Sequence, residues 1–143
     1  MNIRTKLLEY GALSSRDIAE LEAWSPHGSA DFFNLQIAIA RNGNKTLCYV
    51  PLETINSAYF VRAYIVRPGL NEQETFGAGD SIDATLAAVG QERGIRKLIM
   101  PVPVAADVTP STVFRGVPCA VRMIPESMFF AIPSPIAAQD FIN

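Results

Sequence analysis

The sequence predicts a single α/β domain built on a mixed sheet, and two patterns carry that expectation. The first is a hairpin. Phe33 to Ala40 alternates, Asn42-Gly43 offers a turn pair that tolerates positive φ, and Thr46 to Leu52 returns as the partner strand. The second is a βαβ unit: an apolar run from Ala58 to Val66, a glycine turn at Gly77-Ala78-Gly79, a helix from Asp80 to Arg93, and a second apolar run from Lys97 to Val102. A hairpin pairs its strands antiparallel and a βαβ crossover pairs them parallel, so the sheet must be mixed. A length of 143 residues suits one domain spanning 1–143.

In chain order, residues 2–10 read as a short helix. Ser14-Ser15-Arg16-Asp17 has the form of a capping box, with Asp17 three residues after Ser14. The helix it starts should end near Trp24, because Pro26 turns Ser25 away from the α region. In the first hairpin strand Phe33, Leu35, Ile37 and Ile39 face one side, which marks a half-buried strand. Ala58 to Val66 is apolar almost throughout apart from Arg62, as in a strand covered on both faces. In the following helix Ile82, Leu86 and Val89 fall at helical spacing, and Gly94 supplies the left-handed C-terminal residue. Seven of the ten prolines lie between Pro101 and Pro135, so the last third should hold only short or edge strands, near Cys119 to Ile124 and Ser127 to Ile132.

Composition narrows the function classes. A net charge of -2 shows no basic excess of the kind nucleic-acid binders carry, so no nucleic-acid partner is expected. No run of 18 apolar residues exists and the N-terminal apolar stretch is too short for a signal peptide, so neither a membrane span nor secretion is expected. Cys48 and Cys119 fit neither a disulfide framework nor a zinc spacing. They read as buried thiols of a cytoplasmic protein, with no metal expected.

The chemistry-bearing candidates are few. Glycines before a helix let backbone N–H groups approach a phosphate, which singles out Gly77, Ala78 and Gly79. The same residues also read as a plain turn with Asp80 as the helix cap. His27, the sole histidine, sits in a loop beside Trp24, and nothing in sequence orients it as a base. Arg62 and Arg67 flank the buried strand and read as ion-paired or anion-facing. Glu53 follows the second strand of the hairpin. Phe114, Met128, Phe129 and Phe130 read as core or as an apolar contact patch.

The stretch Ala63-Tyr64-Ile65-Val66-Arg67-Pro68 through Gly94-Ile95-Arg96-Lys97-Leu98-Ile99-Met100 resembles the GNAT superfamily of N-acetyltransferases. The resemblance extends in order of elements over about residues 33 to 102. It implies a mixed, mostly antiparallel sheet flanked by helices, with the Ala58 and Lys97 strands as a parallel, splayed pair. It implies an acyl-CoA as cofactor and a small-molecule amine as substrate. Val66 backbone would pair with the pantetheine arm, and Arg67, Gly77, Ala78 and Gly79 would complete the cofactor site. The resemblance names no catalytic residue in this chain.

Two further readings stand beside it. No Lys or Arg occurs from Pro68 to Gln91, whereas Glu72, Glu74, Asp80 and Asp83 do, and no tyrosine follows Tyr64. Those features fit a GNAT-like shell without catalysis, serving as a binding protein or a homo-oligomer formed through its apolar tail or a sheet edge. The run Glu74 to Ser81 also resembles the Asp-Thr-x-Gly-Ala-Gly-Asp signature of ribokinase-family sugar kinases. There the glycines would form an anion hole and Asp80 would be the base.

Overall fold

The computed structural model describes residues 2–25, 32–101, 112–114 and 117–123. One sheet organises them. Its strands are β1 (Ile3–Glu9), β2 (Gln36–Asn42), β3 (Lys45–Ile55), β4 (Ala58–Val61), β5 (Ile65–Val66), β6 (Lys97–Pro101), β7 (Thr112–Phe114) and β8 (Val117–Met123). They lie in the order β1-β2-β3-β4-β6-β8-β7, and β5 pairs with β3. All pairs are antiparallel except β4 with β6, where Ala58, Tyr59 and Phe60 run parallel beside Lys97, Leu98 and Ile99. The parallel pair implied by the resemblance is therefore present in a mixed, mostly antiparallel sheet.

Two helices cover opposite faces. α1 (Ser15–Trp24) starts at Ser14, whose hydroxyl accepts from Asp17 N while the Asp17 carboxylate accepts from Ser14 N. It stops at Ser25, as Pro26 requires. α1 closes a core of Leu21, Ile37, Ile39, Tyr49, Ala63 and Ile65. α2 (Glu72–Arg93) closes the other, with Ala78, Ile82 and Leu86 against Ala38, Val50, Tyr59, Val61 and Met100.

Residues 2–10 are a correction. The segment is strand β1, paired along its whole length with β2, from Ile3 opposite Asn42 to Glu9 opposite Gln36. Ile3, Thr5 and Leu7 turn inward while Arg4 and Lys6 are exposed, a period of two that a helix could not bury. So short a helix would also be marginal alone, and seven cross-strand partners outweigh its propensity. Only Tyr10–Ala12 makes a single 3-10 turn. β2 begins later than expected, and Phe33 lies outside it, exposed and tilted against Tyr10. Ile37 to Ala40 are all buried, because helices cover both faces there. The hairpin turn is as written: Gly43 takes φ 61 between Asn42 and Lys45.

The larger correction concerns α2. It begins at Glu72, eight residues before Asp80. Asn71 caps it, accepting from Glu74 N at 2.8 Å while the Glu74 carboxylate accepts from Asn71 N at 3.4 Å. This Asn-x-x-Glu box supplies a start signal that the glycines do not override. Gly77-Ala78-Gly79 is thus the second turn of a helix, not a turn before one. Its densest packing is on β1, then β2 and β3, rather than across the β4–β6 pair. A Cβ at Gly77 would collide with the Ile3 side chain, and Ser81 Oγ lies 2.7 Å from Thr5 Oγ1. Glycine costs about 1 kcal/mol in a helix interior, and here it lets the helix approach β1 closely.

Candidate functional site

The run Ala58 to Val66 is one strand line broken in the middle. β4 pairs with β3 from Ile55 opposite Ala58 to Leu52 opposite Val61. β5 pairs with the same strand at Tyr49 opposite Ile65 and Cys48 opposite Val66. Three residues, Arg62 to Tyr64, therefore face two, Val50 and Pro51, which is a β-bulge. Pro51 supplies the cause. Its carbonyl accepts from Arg62 N at 2.9 Å, but it has no N–H to donate back, so the ladder breaks at that point. The bulge also resets the faces: Val61 and Tyr64 join the α2-side core, and Ala63 joins the α1-side core.

A break of this kind opens the sheet. β4 pairs with β6 over three residues only. Among the described residues β5 pairs with β3 alone, and no strand occupies its other edge. Among the described residues the β4–β6 ladder ends after Phe60 and Ile99, on the side toward β5 and the start of α2. The connection is short: Arg67 to Asn71, with Gly69 at φ 81 making the turn. The N-terminus of α2 therefore stands beside the opening.

Val66 lies beside that opening, buried and opposite Cys48 of β3 in the register. Arg67 does not face it. Its Nε donates to Thr46 O at 2.6 Å, its Nη2 pairs with Glu20 at 3.0 Å, and its guanidinium stacks over Trp24 at 4.8 Å. Gly77, Ala78 and Gly79 are inside α2, where N–H groups point at carbonyls four residues back. A phosphate cradle made of their amides is excluded by that hydrogen bonding. Asp80 likewise has no helix N-terminus or anion hole before it. At the true N-terminus the Glu74 amide is taken by Asn71 and the Thr75 amide by Asn71 O, so Glu72 and Gln73 head the helix. Glu53 pairs with Arg62 at 3.2 Å, both partly buried. His27 and the tail residues Met128, Phe129 and Phe130 lie outside the described residues.

Lys45 is the residue that sequence order concealed. It heads β3, yet its Nζ sits 2.8 Å from Glu74 Oε2 in the first turn of α2. The Lys45 hydrogen bond, opposed by burial and aided by the Asn71 amide, holds the Glu74 carboxyl below its usual range. One of the four acids that looked unrelieved in sequence, Glu74, is thus paired across 29 residues of chain. No signal in the sequence tied Lys45 to Glu74, whereas Asn71 was readable as a cap.

On the α1 face, Asp17, Glu20, Arg41, Tyr49 and Arg67 form a network. Arg41 pairs with Asp17, and the Tyr49 hydroxyl lies 2.7 Å from Glu20 Oε1 and 3.1 Å from Asp17 Oδ1. Burial and the Glu20 hydrogen bond push the Tyr49 phenol up. Burial works against ionisation of Asp17, but hydrogen bonds from Arg41 and Ser14 prevail and hold its carboxyl below the ordinary range. This network joins α1 to the sheet. Among the described residues no group of three or more His, Cys, Asp or Glu could hold a metal, and no helix is long and apolar enough to cross a membrane.

The backbone arrangement as a whole is found in known structures. The fold is that of the GNAT N-acetyltransferases. The chain is similar to the ribosomal-protein-S18-alanine N-acetyltransferase of Escherichia coli over 91% of its length and 96% of that protein's, with a TM-score of 0.54 and 9% identity. It is similar to the PaiA N-acetyltransferase of Thermoplasma acidophilum, solved with coenzyme A, over 86% and 99% of the two chains, with a TM-score of 0.54 and 11% identity. An IAA acetyltransferase of Bacillus cereus matches over 73% and 69%, with a TM-score of 0.53 and 14% identity. By sequence the chain matches no family model and no curated protein. The GNAT fold is thus shown by backbone geometry at identities where side chains have largely diverged.

Proposed function

We propose that the protein is an N-acyltransferase that takes its acyl group from an acyl-CoA and passes it to a small-molecule amine. One observation carries this reading: among the described residues the edge of β5 away from β3 has no strand partner, where the chain leads into the N-terminus of α2. An extended chain with amide groups, such as a pantetheine arm, can add to a free strand edge as a further strand does. Backbone at Val66 and the bulge residues would hold that arm. The amides of Glu72 and Gln73 would face the phosphates, with the helix dipole favouring negative charge. Gly77 serves by seating α2 against β1, and Arg67 serves by tying the preceding loop to Thr46 and α1. Bound there, an acyl-CoA supplies an activated thioester. The chain's task is to hold its carbonyl beside the amine and keep water out.

A second reading, a GNAT-shaped binding or self-assembling protein, draws on the two glutamates in the first turn of α2 and on the full engagement of Arg67 by Glu20, Thr46 and Trp24. Thermal shift with acetyl-CoA separates the two. At about 100 times Kd the ligand should add about 2.7 kcal/mol of stability. Glu72→Lys should tighten binding several-fold, since Glu72 is exposed and adds only repulsion to a phosphate there. No stabilisation at millimolar acetyl-CoA overturns the transferase reading. Light scattering that shows only monomer at high concentration overturns self-assembly.

A further inference from the structure

A cavity of about 580 Å³ opens on the α1 face of the sheet, away from the β5 edge. Its wall holds Arg4 and Lys6 from β1, Arg41 from β2 and Arg16 from α1, with Ser14 and Asn44 between them. Four of the chain's twelve Lys and Arg residues meet here, in a protein whose net charge is -2. Among the described residues Asp17 is the single carboxylate of the wall, and it is already paired with Arg41 and capping α1. Four cations against one carboxylate leave three positive charges in excess.

The strand register makes this concentration costly. Arg4 stands directly opposite Arg41 on the neighbouring strand. Like charges in that position repel, and Lys6 adds a third on the same face, about 6.6 Å further along β1. Among the described residues the side chains of Arg4 and Lys6 have no hydrogen-bond or ion-pair partner. Arg16 is differently placed: its Nη2 donates to Asn44 O at 3.0 Å, which fixes the guanidinium at the rim beside the hairpin turn. Two anchored guanidiniums and two unpaired cations thus surround one concave space. Single exposed cations hold an anion weakly at physiological salt, where the Debye length is about 8 Å. Several converging on one ligand act together, and guanidiniums grip carboxylate and phosphate through two parallel hydrogen bonds.

We propose that this cavity is a binding site for a small polyanion, a molecule with two or more carboxylate or phosphate groups, held by Arg4, Lys6, Arg16 and Arg41. The site is separate from the proposed acyl-CoA site and stands whether or not that one is real. Its compact form, bounded by β1, β2, the hairpin turn and the start of α1, suits a small ligand rather than a polymer.

The test uses citrate and inorganic pyrophosphate as probes, titrated into the full chain by calorimetry at low salt. The expected result is saturable binding at one site per chain by at least one of them. Tighter citrate binding identifies a polycarboxylate ligand, and tighter pyrophosphate binding a phosphorylated one. The double variant R4Q/K6Q should lose roughly tenfold or more in affinity, since charge-assisted hydrogen bonds are removed. Its thermal midpoint without ligand should match or exceed that of the parent, because neither side chain has a partner among the described residues. Binding by neither probe up to 10 mM, or equal binding by R4Q/K6Q, overturns the proposal. A response that sodium chloride reproduces at the same ionic strength overturns it too. So does binding confined to heparin, single-stranded DNA or anionic vesicles.

Discussion

Replacing Gly77 by alanine tests both the placement of α2 and the reason for its glycine. Two effects oppose each other. In a helix interior alanine is favoured over glycine by about 1 kcal/mol. Against this, the new Cβ meets the terminal methyl of Ile3, while the next atom of that side chain stands 3.6 Å away, at ordinary contact distance. The conflict is thus confined to one methyl group on a half-buried edge-strand residue. Ile3→Val removes that methyl, at a cost near the low end of the range of about 0.5–1.5 kcal/mol for this exchange, since Ile3 is only partly buried. In the Ile3→Val background Gly77→Ala should therefore yield nearly its full gain of about 1 kcal/mol. In the parent the gain should be erased or reversed. Urea denaturation of all four proteins measures this, with unchanged m-values showing that the comparison is of stability alone. The expected coupling of at least about 0.5 kcal/mol lies outside the scatter of independent sites. Two results refute the reasoning. Equal effects of Gly77→Ala in both backgrounds would mean that α2 does not press Gly77 onto Ile3. Destabilisation by alanine in both would mean that Gly77 occupies a turn that only glycine can make.

Other outcomes follow from the same contacts. Asn71→Ala removes the cap of α2 and should cost about 1 kcal/mol by urea denaturation, whereas Asn71→Asp should cost far less. Asp17→Asn should cost about 1.5–3 kcal/mol, because it breaks a charge-assisted hydrogen bond to Arg41. The Asp17 carboxyl is held below its ordinary value, so its contribution is present above about pH 3.9 and is lost as pH falls through the lowered folded value. The parent should therefore lose stability more steeply than Asp17→Asn below about pH 4, read as thermal midpoint against pH. Burial pushes the Cys48 thiol up to about 12, so a thiol reagent at pH 8 should label it only as fast as the protein unfolds. Rapid labelling of the folded protein at Cys48, seen by mass spectrometry, would contradict the buried position.

The parts of the fold that could be read in the sequence were those whose signals are local. Ser14 with Asp17, Asn42-Gly43 and Gly94 each act within a turn of chain, and each stands where its pattern placed it. Strand β1 was hidden because its alternation, Ile3, Thr5 and Leu7 against Arg4 and Lys6, is short, and its pairing with β2 lies more than 25 residues away. The break after Val61 was hidden for a similar reason. Its cause, Pro51, sits on the neighbouring strand, and Arg62 alone interrupted the apolar run. At the candidate site the glycines drew attention because glycine before a helix has one well-known use. The weaker pattern Asn71-x-x-Glu74 decided where the helix began, and with it whether those glycines had free amides.

That displacement of the helix start by eight residues changes what a ligand would meet. With α2 starting at Asp80, a phosphate would face the flexible backbone of Gly77 to Gly79, lined by several acids and no cation. With α2 starting at Glu72, it faces two amides at the end of a 22-residue helix, directly after the five-residue loop that leaves β5. The charge around it changes as well. Glu74 turns toward Lys45 and Asn71 and no longer projects into the opening, which leaves Glu72 as the carboxylate nearest to a bound anion in the first turn. A helix N-terminus favours an anion by about 0.3–1 kcal/mol at an exposed position, and one opposing exposed carboxylate is of the same order. The two nearly cancel, so under the proposed acyl-CoA reading the affinity would come chiefly from the strand edge at Val66. A ligand keeping the pantetheine arm but lacking the nucleotide should therefore retain most of the binding, whereas a nucleotide alone should show little.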